Sequence, residues 1–576
     1  MSNIRLYVLA GIFVLPMVII FGRLVTVQVL KHNFYADKAS AQQSRQFEIP
    51  AKRGELYVEE NGELYPVALN NSLKYVYADP QLIEDPKEAA ATLAPILQSE
   101  EKDLEKKLTF TGKNRYVELK QQVDQDVAKK VAEAKIRGVV LRDRDYRAYP
   151  EGALFGHLTG YVNSDGRGQY GLEEYLNADL SGRNGQLKAV TDSQGVPLST
   201  QDNIIEEPRN GSSYVLTVDR YIQGVAEKAL KKALVDNKAA SGSIIVMDPY
   251  TGAIKAMVNA PDYDPNNYAS VKPEDYGSFI NSAVSSQFEP GSGFKPLTMS
   301  IAIENDKVEA NTSFNDSGEV VIGEYTINNA DKKKFGQVDM SLVIKNSINT
   351  GMVYILKLMG GNPNEITKAG KEMLYAGIQK FGFGQKTGVE LAGEAAGRVK
   401  DTKAADIDYA NMTFGQGIAT TSLQMISALA PIANGGTKVE PHVLAKKVLP
   451  NGDLEEIRKN ITQERIMSEE TADTVANMMI GVVEGGSGYL TRMPGYKIAG
   501  KTGTAQVPKA NGQGYEENKN IGSFIGFAPV NDPKFIMLVR VDYPQTNTYA
   551  ERSAVPAFAE VAKQLFSYYQ VPPEGS

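Results

Sequence analysis

The sequence predicts an α+β multidomain protein with an N-terminal membrane helix, an elongated α+β pedestal, and a C-terminal domain built on a mainly antiparallel five-stranded sheet with a helical lobe. Three observations predict it. A chain of 576 residues exceeds what one hydrophobic core holds together. An apolar run opens the chain, and two groups of β-rich runs, at 213–258 and 496–541, are separated by a largely helical stretch. A content of 42% hydrophobic and 23% charged residues belongs to folded domains and not to a disordered chain.

Composition excludes several function classes. Lys and Arg number 62 against 69 Asp and Glu, so no basic excess is available to neutralise a phosphate backbone, and the absence of Trp removes a common base-stacking platform. Nucleic acid is not an expected partner. With no Cys, the chain has no disulfide, thiolate metal site or Cys nucleophile, and His32, His157 and His442 form no H-x-x-x-H pair. The chemistry therefore falls to Ser, Thr, Lys, Asn or carboxylates, with no metal and no cofactor expected.

Residues 6–22 are uncharged and mostly apolar, and 24–30 continue so beyond Arg23, approaching the roughly 20 residues that cross a bilayer. Gln28, Lys31 and His32 stand where a cleaved leader carries small residues, so residues 1–33 read as an uncleaved anchor. Arg5 and the terminal amine on one side balance Arg23 and Lys31 on the other, and orientation must come from the chemistry. Residues 34–209 mix strand-like runs with polar helices at 87–97 and 122–135 and a Gly-rich tract at 152–195, a pedestal that spaces the next domain from the membrane. The turn signal Pro208-Arg-Asn-Gly211 closes it.

The domain over 210–572 begins with a strand at 213–218 and a helix at 222–234. Two β-branched runs, 243–247 and 253–258, flank Asp248-Pro-Tyr-Thr-Gly252, a hairpin signal. Strand-like runs at 496–499, 524–528 and 535–541 and a closing helix at 555–566 lie far downstream. One sheet drawing its strands from both ends, with the helical middle as a second lobe, is the economical arrangement, and clefts form between such lobes.

Three short patterns fall in this domain in order: Ser292-Gly-Phe-Lys295, Ser347-Ile-Asn349 and Lys501-Thr-Gly503. Ser292 follows Pro290-Gly291, and Phe294, Leu297 and Ile301 recur at helical spacing, so the serine sits where a buried helix begins. Spacing of three puts Ser292 and Lys295 on one face, where a neutral lysine can take the serine proton. An ordinary lysine is protonated near pH 7, so the base works only if burial and a neighbouring cation such as Lys501 depress it by about three pH units. In isolation the same four residues are a helix cap and a solvated lysine. Ser347 and Asn349 lie at a loop or helix junction, where a hydroxyl can relay a proton and an amide can hold a peptide group; alone they are a capping site. Lys501, Thr502, Gly503 and Thr504 continue a strand whose glycines let an extended substrate approach, with cation and hydroxyls suited to a terminal carboxylate.

One competing pattern overlaps the last of these, and another lies far upstream. Gly495 to Thr502 fits the phosphate-binding loop G-x-x-x-x-G-K-[ST], which needs a helix after it, whereas Gln506-Val-Pro-Lys-Ala-Asn-Gly512 follows. A Glu-x-x-Leu-Asn pattern also occurs at Glu173 to Asn177, ahead of Ser292.

At these residues the chain resembles the penicillin-binding protein family, specifically its class B monofunctional D,D-transpeptidases. Further resembling segments are Ala51-Lys-Arg53-Gly54, Gly160-Tyr-Val-Asn163, Gly168-Gln-Tyr-Gly171-Leu-Glu173, Asp248-Pro-Tyr-Thr-Gly252, Asp264-Pro265-Asn266, Glu289-Pro-Gly-Ser292, Phe414-Gly-Gln-Gly417, Ala433-Asn-Gly-Gly436 and Gly522-Ser-Phe-Ile-Gly526. The resemblance implies a penicillin-binding/serine β-lactamase-like transpeptidase domain in which Ser292 attacks a peptidoglycan stem peptide and releases D-Ala. Lys295 is then the base, Ser347 the relay, Asn349 a substrate holder, and Lys501, Thr502, Gly503 and Thr504 the carboxylate side, with the N–H groups of Ser292 and Thr504 as oxyanion hole. It further implies β-lactam binding, stem peptides or a lipid-linked precursor as substrate, a SEDS-type multispanning glycan polymerase and other cell-wall assembly proteins as partners, and a single-pass cytoplasmic-membrane protein with its N-terminus inside and its catalytic domain extracytoplasmic. Gly293 departs from the family's usual Thr, and Glu-Leu-Tyr-Val-Glu-Glu-Asn-Gly62 departs from its Ile-x-Asp-Arg-Asn-Gly. A β-lactamase, a β-lactam sensor and an inactive division scaffold remain the alternatives on the same fold, and septal and elongation duty both stay open.

Overall fold

The computed structural model describes residues 2–35, 44–112, 115–190, 204–457, 464–509 and 514–574. Gly195 of the Gly-rich tract and 510–512 of the stretch after the K-T-G pattern lie outside the described residues. The chain divides into two compact units, residues 1–54 with 178–211 and residues 55–177 with 212–576.

The first unit holds the apolar helix Ser2–Val25, continued by a π-helical turn Thr26–Leu30. Its 20-residue segment Gly11–Leu30 has a mean hydropathy of 2.2 and buries nothing against protein, so it is long and apolar enough to cross a membrane. Strand Gly185–Val190 lies between Ser44–Ile49 and Ile204–Glu206 in a three-stranded antiparallel sheet.

The second unit contains two larger sheets. In one, the strands run in the order Leu454–Glu456, Leu444–Val448, Ser213–Leu216, Leu56–Glu60, Glu63–Ala78 and Val117–Val123, with Val139–Ala148 also paired to the long strand Glu63–Ala78. Helices Pro86–Leu97, Glu101–Leu108 and Gln125–Glu133 bury Leu93, Leu104 and Val131 against Val76, Ala78 and Leu119 of this sheet. The helix expected from residue 122 starts at Gln125, because Asp124 caps it by accepting the Val127 N–H at 2.8 Å while Val123 ends a strand. The expected strand at 213–218 spans Ser213–Leu216 and pairs parallel to Leu56–Glu60, so it extends this sheet and not the five-stranded one.

Strands β1 (Ser241–Met247), β2 (Ile254–Ala260), β3 (Ala499–Pro508), β4 (Tyr515–Ala528) and β5 (Phe535–Asp542) form an antiparallel sheet in the order β2-β1-β5-β4-β3. Ser241 pairs with Asp542, so strands from both ends of the domain meet as the patterning predicts. Helix α1 (Arg220–Asn237) starts at an Asp219 cap that accepts the Ile222 N–H at 3.0 Å. Helices α2 (Lys295–Glu304), α3 (Asn349–Met359), α4 (Ser422–Ala433) and α5 (Glu469–Gly485) belong to the helical middle, and α6 (Val555–Tyr568) closes the domain. α1 and α6 bury Ile222, Leu230, Phe558 and Leu565 on one face of the sheet, against Ile244, Val246, Val539 and Val541, while α4 packs against β1 and β5. Both faces are therefore covered, which is why residues 244–247 of β1 and 535–539 of β5 read as continuous apolar runs without alternation. Burial of each such Ile or Val contributes about 1.5–3 kcal/mol.

Of the run expected as a strand at 496–499, only Ala499 lies in one; Tyr496 closes a turn as an isolated bridge to Met493. Tyr496 donates its N–H to Met493 O at 3.1 Å and stacks its ring on Phe566 of α6 with centroids 4.1 Å apart. Pairing with β4 begins at Ala499, opposite Phe527, and carries the strand through the K-T-G residues.

Candidate active site

The chain reaches Ser292 through a turn that favours glycine. Gly291 has φ +53°, donates its N–H to Gly415 O at 3.0 Å, and holds its Cα where a Cβ would stand 3.0 Å from Thr504 O of β3. A 3-10 turn over Gly291–Phe294 then feeds α2, with Pro296 in its first turn. Phe294, Leu297 and Ile301 are buried as their spacing predicts, and Lys295 and Pro296 between them are buried too. Burial on all sides, not amphipathicity, places α2 in the centre of the lobe.

Lys295 is 0% exposed. Its Nζ lies 2.5 Å from Ser347 O, 2.8 Å from Asn349 Oδ1 and 3.0 Å from Ser347 Oγ. The carbonyl and the amide oxygen can only accept, so they take two N–H groups; the hydroxyl can donate to the nitrogen's electron pair. A neutral amine thus satisfies all three contacts. Burial, and then the charge of Lys501, holds Lys295 well below the ordinary lysine range. Lys501 is also 0% exposed, and burial brings it down to about 7 against an opposing pull from Glu551. Its Nζ donates to Ser347 Oγ at 3.1 Å and to Thr502 O at 3.2 Å. The depressed lysine and the neighbouring cation that the sequence demands are both present.

Ser347 occupies the joint between helix Met340–Lys345 and α3, with φ +56°, a left-handed conformation that turns both its carbonyl and its hydroxyl to Lys295. Asn349 opens α3; its Nδ2 donates to Asn328 O at 2.9 Å while its Oδ1 accepts from Lys295, leaving one amide N–H for a ligand. In this arrangement Asn349 orients the lysine.

Strand β3 is the edge of the five-stranded sheet. Lys501, Thr502, Gly503 and Thr504 pair with Ile525, Phe524, Ser523 and Gly522 of β4. A Cβ on Gly503 would stand 2.6 Å from Pro290 O, so the absence of a side chain lets the strand lie against the Ser292 turn. Thr502 Oγ1 is 2.6 Å from Ser487 Oγ, and Thr504 Oγ1 accepts the Ala550 N–H at 3.3 Å.

The structure therefore links Lys295, Ser347, Asn349, Lys501 and Thr502 in one hydrogen-bonded group, and packs Gly503 and Thr504 against the turn that carries Ser292. It does not join Ser292 to Lys295 directly: Nζ is held by Ser347 and Asn349, and no hydrogen bond connects it to Ser292 Oγ. Sequence reasoning missed Ser487, Asn328 and Glu289. Glu289 accepts from Gly417 N–H at 2.8 Å and Tyr515 OH at 3.2 Å, tying the Phe414-Gly-Gln-Gly417 loop to β4, and burial raises its carboxyl. Its place in Glu289-Pro-Gly-Ser292 was the one available signal.

Both competing patterns dissolve. Gly500, Lys501 and Thr502 run on in β3 to Pro508, with a strand where a phosphate loop needs a helix. Glu173 is fully buried and paired at 2.6 Å with Arg147, a structural ion pair.

A buried Ser-x-x-Lys helix beside the edge strand of an antiparallel sheet, with a Ser-x-Asn joint between two lysines, defines the serine acyltransferases of the penicillin-binding class. The penicillin binding protein transpeptidase domain family matches residues 242–563, and the penicillin-binding protein dimerisation domain family matches residues 48–216. The chain belongs to the penicillin-binding protein transpeptidase family. It is 31% identical over 566 residues to stage V sporulation protein D of Bacillus subtilis, covering 97% of this chain and 85% of that protein. It is 30% identical to the probable peptidoglycan D,D-transpeptidase PbpC of Pseudomonas aeruginosa, covering 99% and 96%. Among solved structures, penicillin binding protein 3 of Mycobacterium tuberculosis in complex with ampicillin superposes with a TM-score of 0.69 at 27% identity, covering 92% of this chain and 98% of that one.

Proposed function

We propose that the protein is a peptidoglycan D,D-transpeptidase that crosslinks stem peptides through a Ser292 acyl-enzyme. The observation that carries this reading is Ser347 Oγ standing between the two buried amines of Lys295 and Lys501. Lys295, kept neutral, takes the proton as Ser292 Oγ attacks the carbonyl of the penultimate D-Ala; general-base help of this kind is typically worth 10² to 10⁴-fold. Ser347 passes the proton to the departing D-Ala nitrogen as the peptide C–N bond breaks and the ester forms. An amine of a neighbouring stem then attacks the ester, forming a new amide and returning the proton to Ser292. Backbone N–H groups of Ser292 and Thr504 receive the oxyanion, at about 3 kcal/mol per donor. Lys501, with Thr502 and Gly503 on the open edge of β3, receives the substrate carboxylate and its extended backbone, and the remaining amide N–H of Asn349 binds a substrate carbonyl.

β-Lactams present a strained amide to the same serine, and the penicillin binding protein 3 structures hold ampicillin and aztreonam. The apolar helix supports a single-pass anchor in the cytoplasmic membrane, and the proposed substrate, which lies outside the cell, puts the N-terminus inside and the catalytic domain outside. We divide the chain functionally into an anchor (1–33), a pedestal (34–209) and a transpeptidase domain (210–572), with a SEDS-type glycan polymerase as the partner that supplies uncrosslinked strands.

Intact-mass analysis after benzylpenicillin treatment tests the reading. One slowly hydrolysed adduct, absent in Ser292→Ala, supports it; rapid drug turnover supports a β-lactamase instead, and no adduct at all refutes both.

A further inference from the structure

The Asn349 end of the site is held by a buried network about 20 to 35 positions earlier in the chain. Asp316 ends strand Ser313–Asp316 and is 3% exposed, yet its carboxylate faces donors on every side: Gly318 N–H at 3.0 Å, Phe335 N–H at 2.9 Å, Asn329 Nδ2 at 3.0 and 2.9 Å, and Thr350 Oγ1 at 2.6 Å. Burial alone would raise this carboxyl, but the hydrogen bonds from Thr350, Gly318, Phe335 and Asn329 outweigh it and keep it below its ordinary range, so Asp316 is an anion inside the domain. Two adjacent pairs of residues meet there. Asn328 O receives Asn349 Nδ2 at 2.9 Å, and Asn329 Oδ1 receives the backbone N–H of Thr350 at 3.1 Å. Asn349 is thereby locked to the hairpin Glu319–Ile322 and Tyr325–Asn328 on one side, and Asp316 clamps the next residue along each segment.

We propose that Asp316 is a positioning residue for acyl transfer: by clamping Thr350 and Asn329 it fixes the Asn349 amide, and through Asn349 Oδ1 it fixes the direction in which Lys295 presents its electron pair. The inference rests on the transpeptidase reading and deepens it. The physical reason for a carboxylate here is its all-acceptor character. Four different groups donate to it, and an amide of the same shape would set an N–H₂ against N–H and O–H donors. Relief of that clash moves Thr350, and Asn349 moves with it. The catalytic serine and the oxyanion donors belong to other segments and stay in place, so a displaced Asn349 weakens only one of the contacts that hold a β-lactam noncovalently, while the misdirected Lys295 slows the chemical step far more.

The test measures benzylpenicillin acylation of the full-length protein in detergent, with the dissociation constant of the first complex separated from the first-order acylation step, for wild type, Asp316→Asn, Thr350→Val and Thr350→Ser. Asp316→Asn and Thr350→Val should slow the first-order step by about 10- to 100-fold, the scale of an ångström-level misplacement, with less than about threefold change in the dissociation constant. Thr350→Ser, which keeps the hydroxyl, should stay near wild type. If Asp316→Asn does not fold, the Thr350 pair decides: equal rates for Thr350→Val and Thr350→Ser, fast or slow, overturn the proposal. Wild type that takes no covalent label overturns the transpeptidase reading and this role with it, whereas labelled wild type with unaltered variants overturns the positioning role alone.

Discussion

Lys295 and Lys501 share one oxygen: their Nζ atoms lie 3.0 and 3.1 Å from Ser347 Oγ, and neither side chain has any exposed surface. Two ammonium groups cannot both remain charged in that space, since burial disfavours each and their mutual repulsion adds to it. The pair therefore divides its labour by protonation state, with Lys295 as free base and Lys501, at about 7, as the group that carries the proton on the acid side of neutrality.

Removing one charge should be felt by the other lysine. In Lys501→Ala the repulsion on Lys295 is gone while burial remains, so the Lys295 pKa rises part of the way back. The acid limb of the acylation rate, which reports the loss of free base, moves to higher pH. The rate at the optimum falls by about 10²-fold or more from loss of electrostatic stabilisation. Benzylpenicillin acylation followed from pH 5 to 9 checks it, and an acid limb that stays in place disproves the coupling.

Glu551 acts with the opposite sign. Its carboxylate raises Lys501, so Glu551→Gln lowers the Lys501 pKa further and discharges that cation at lower pH. Carboxylate recognition depends on the charge, so the alkaline limb of substrate turnover should shift to lower pH while the acid limb stays. Steady-state release of D-Ala from a stem-peptide analogue, profiled against pH, measures it.

Ser347→Ala removes the bridge and leaves both amines. Lys295 keeps Ser347 O and Asn349 Oδ1 as acceptors, because one is backbone and the other belongs to a different residue, so the base stays oriented. The proton path to the leaving nitrogen is what disappears. Acylation should slow by about 10²- to 10³-fold with little change in initial drug binding. Stopped-flow separation of the two steps tests this, and a loss confined to binding would reassign the hydroxyl.

The same geometry explains what the sequence could and could not disclose. Ser292 and Lys295 are legible because one helical turn joins them, and Lys501 to Thr504 because the strand itself is the functional surface. Asp316, Asn328 and Ser487 are illegible because their partners lie 34, 21 and 15 positions away and each resembles an ordinary turn residue. The strand expected at 496–499 failed for a related reason: Tyr496 is aromatic because it packs on Phe566, a tertiary contact that mimics strand propensity. Of the expected fold, the inner strands β1 and β5 of the five-stranded sheet were readable from their apolar runs, whereas the pairing of Ser213–Leu216 with Leu56–Glu60 was not, since register between distant segments leaves no local mark.

Gly503 is a steric requirement of the site. A methyl there meets Pro290 O at 2.6 Å and Ser523 Oγ at 2.5 Å; the second can rotate away, but the first is backbone of the segment that leads to Ser292. Gly503→Ala must push β3 from the serine turn, so acylation should drop by about 10²-fold, out of proportion to any loss of stability. Thermal melting measured beside the acylation rate separates the two, and a melting loss with normal acylation per folded molecule would contradict it.

Gly293 provides the converse case, one residue past Ser292, the proposed nucleophile. Its φ is not in the left-handed region, and a Cβ would meet nothing closer than Met425 Cε at 3.8 Å, an ordinary van der Waals contact. The glycine, where the family usually has Thr, is therefore not demanded by space or by backbone geometry. Gly293→Ala should stabilise the folded protein by about 0.4–1 kcal/mol, because the unfolded chain loses freedom it no longer has to surrender on folding. Acylation should stay within about twofold of wild type, since the side chain at this position touches neither Lys295 nor Ser347. Urea denaturation together with the benzylpenicillin rate measures both quantities; a destabilised Gly293→Ala protein would contradict the finding that neither space nor backbone geometry demands glycine here.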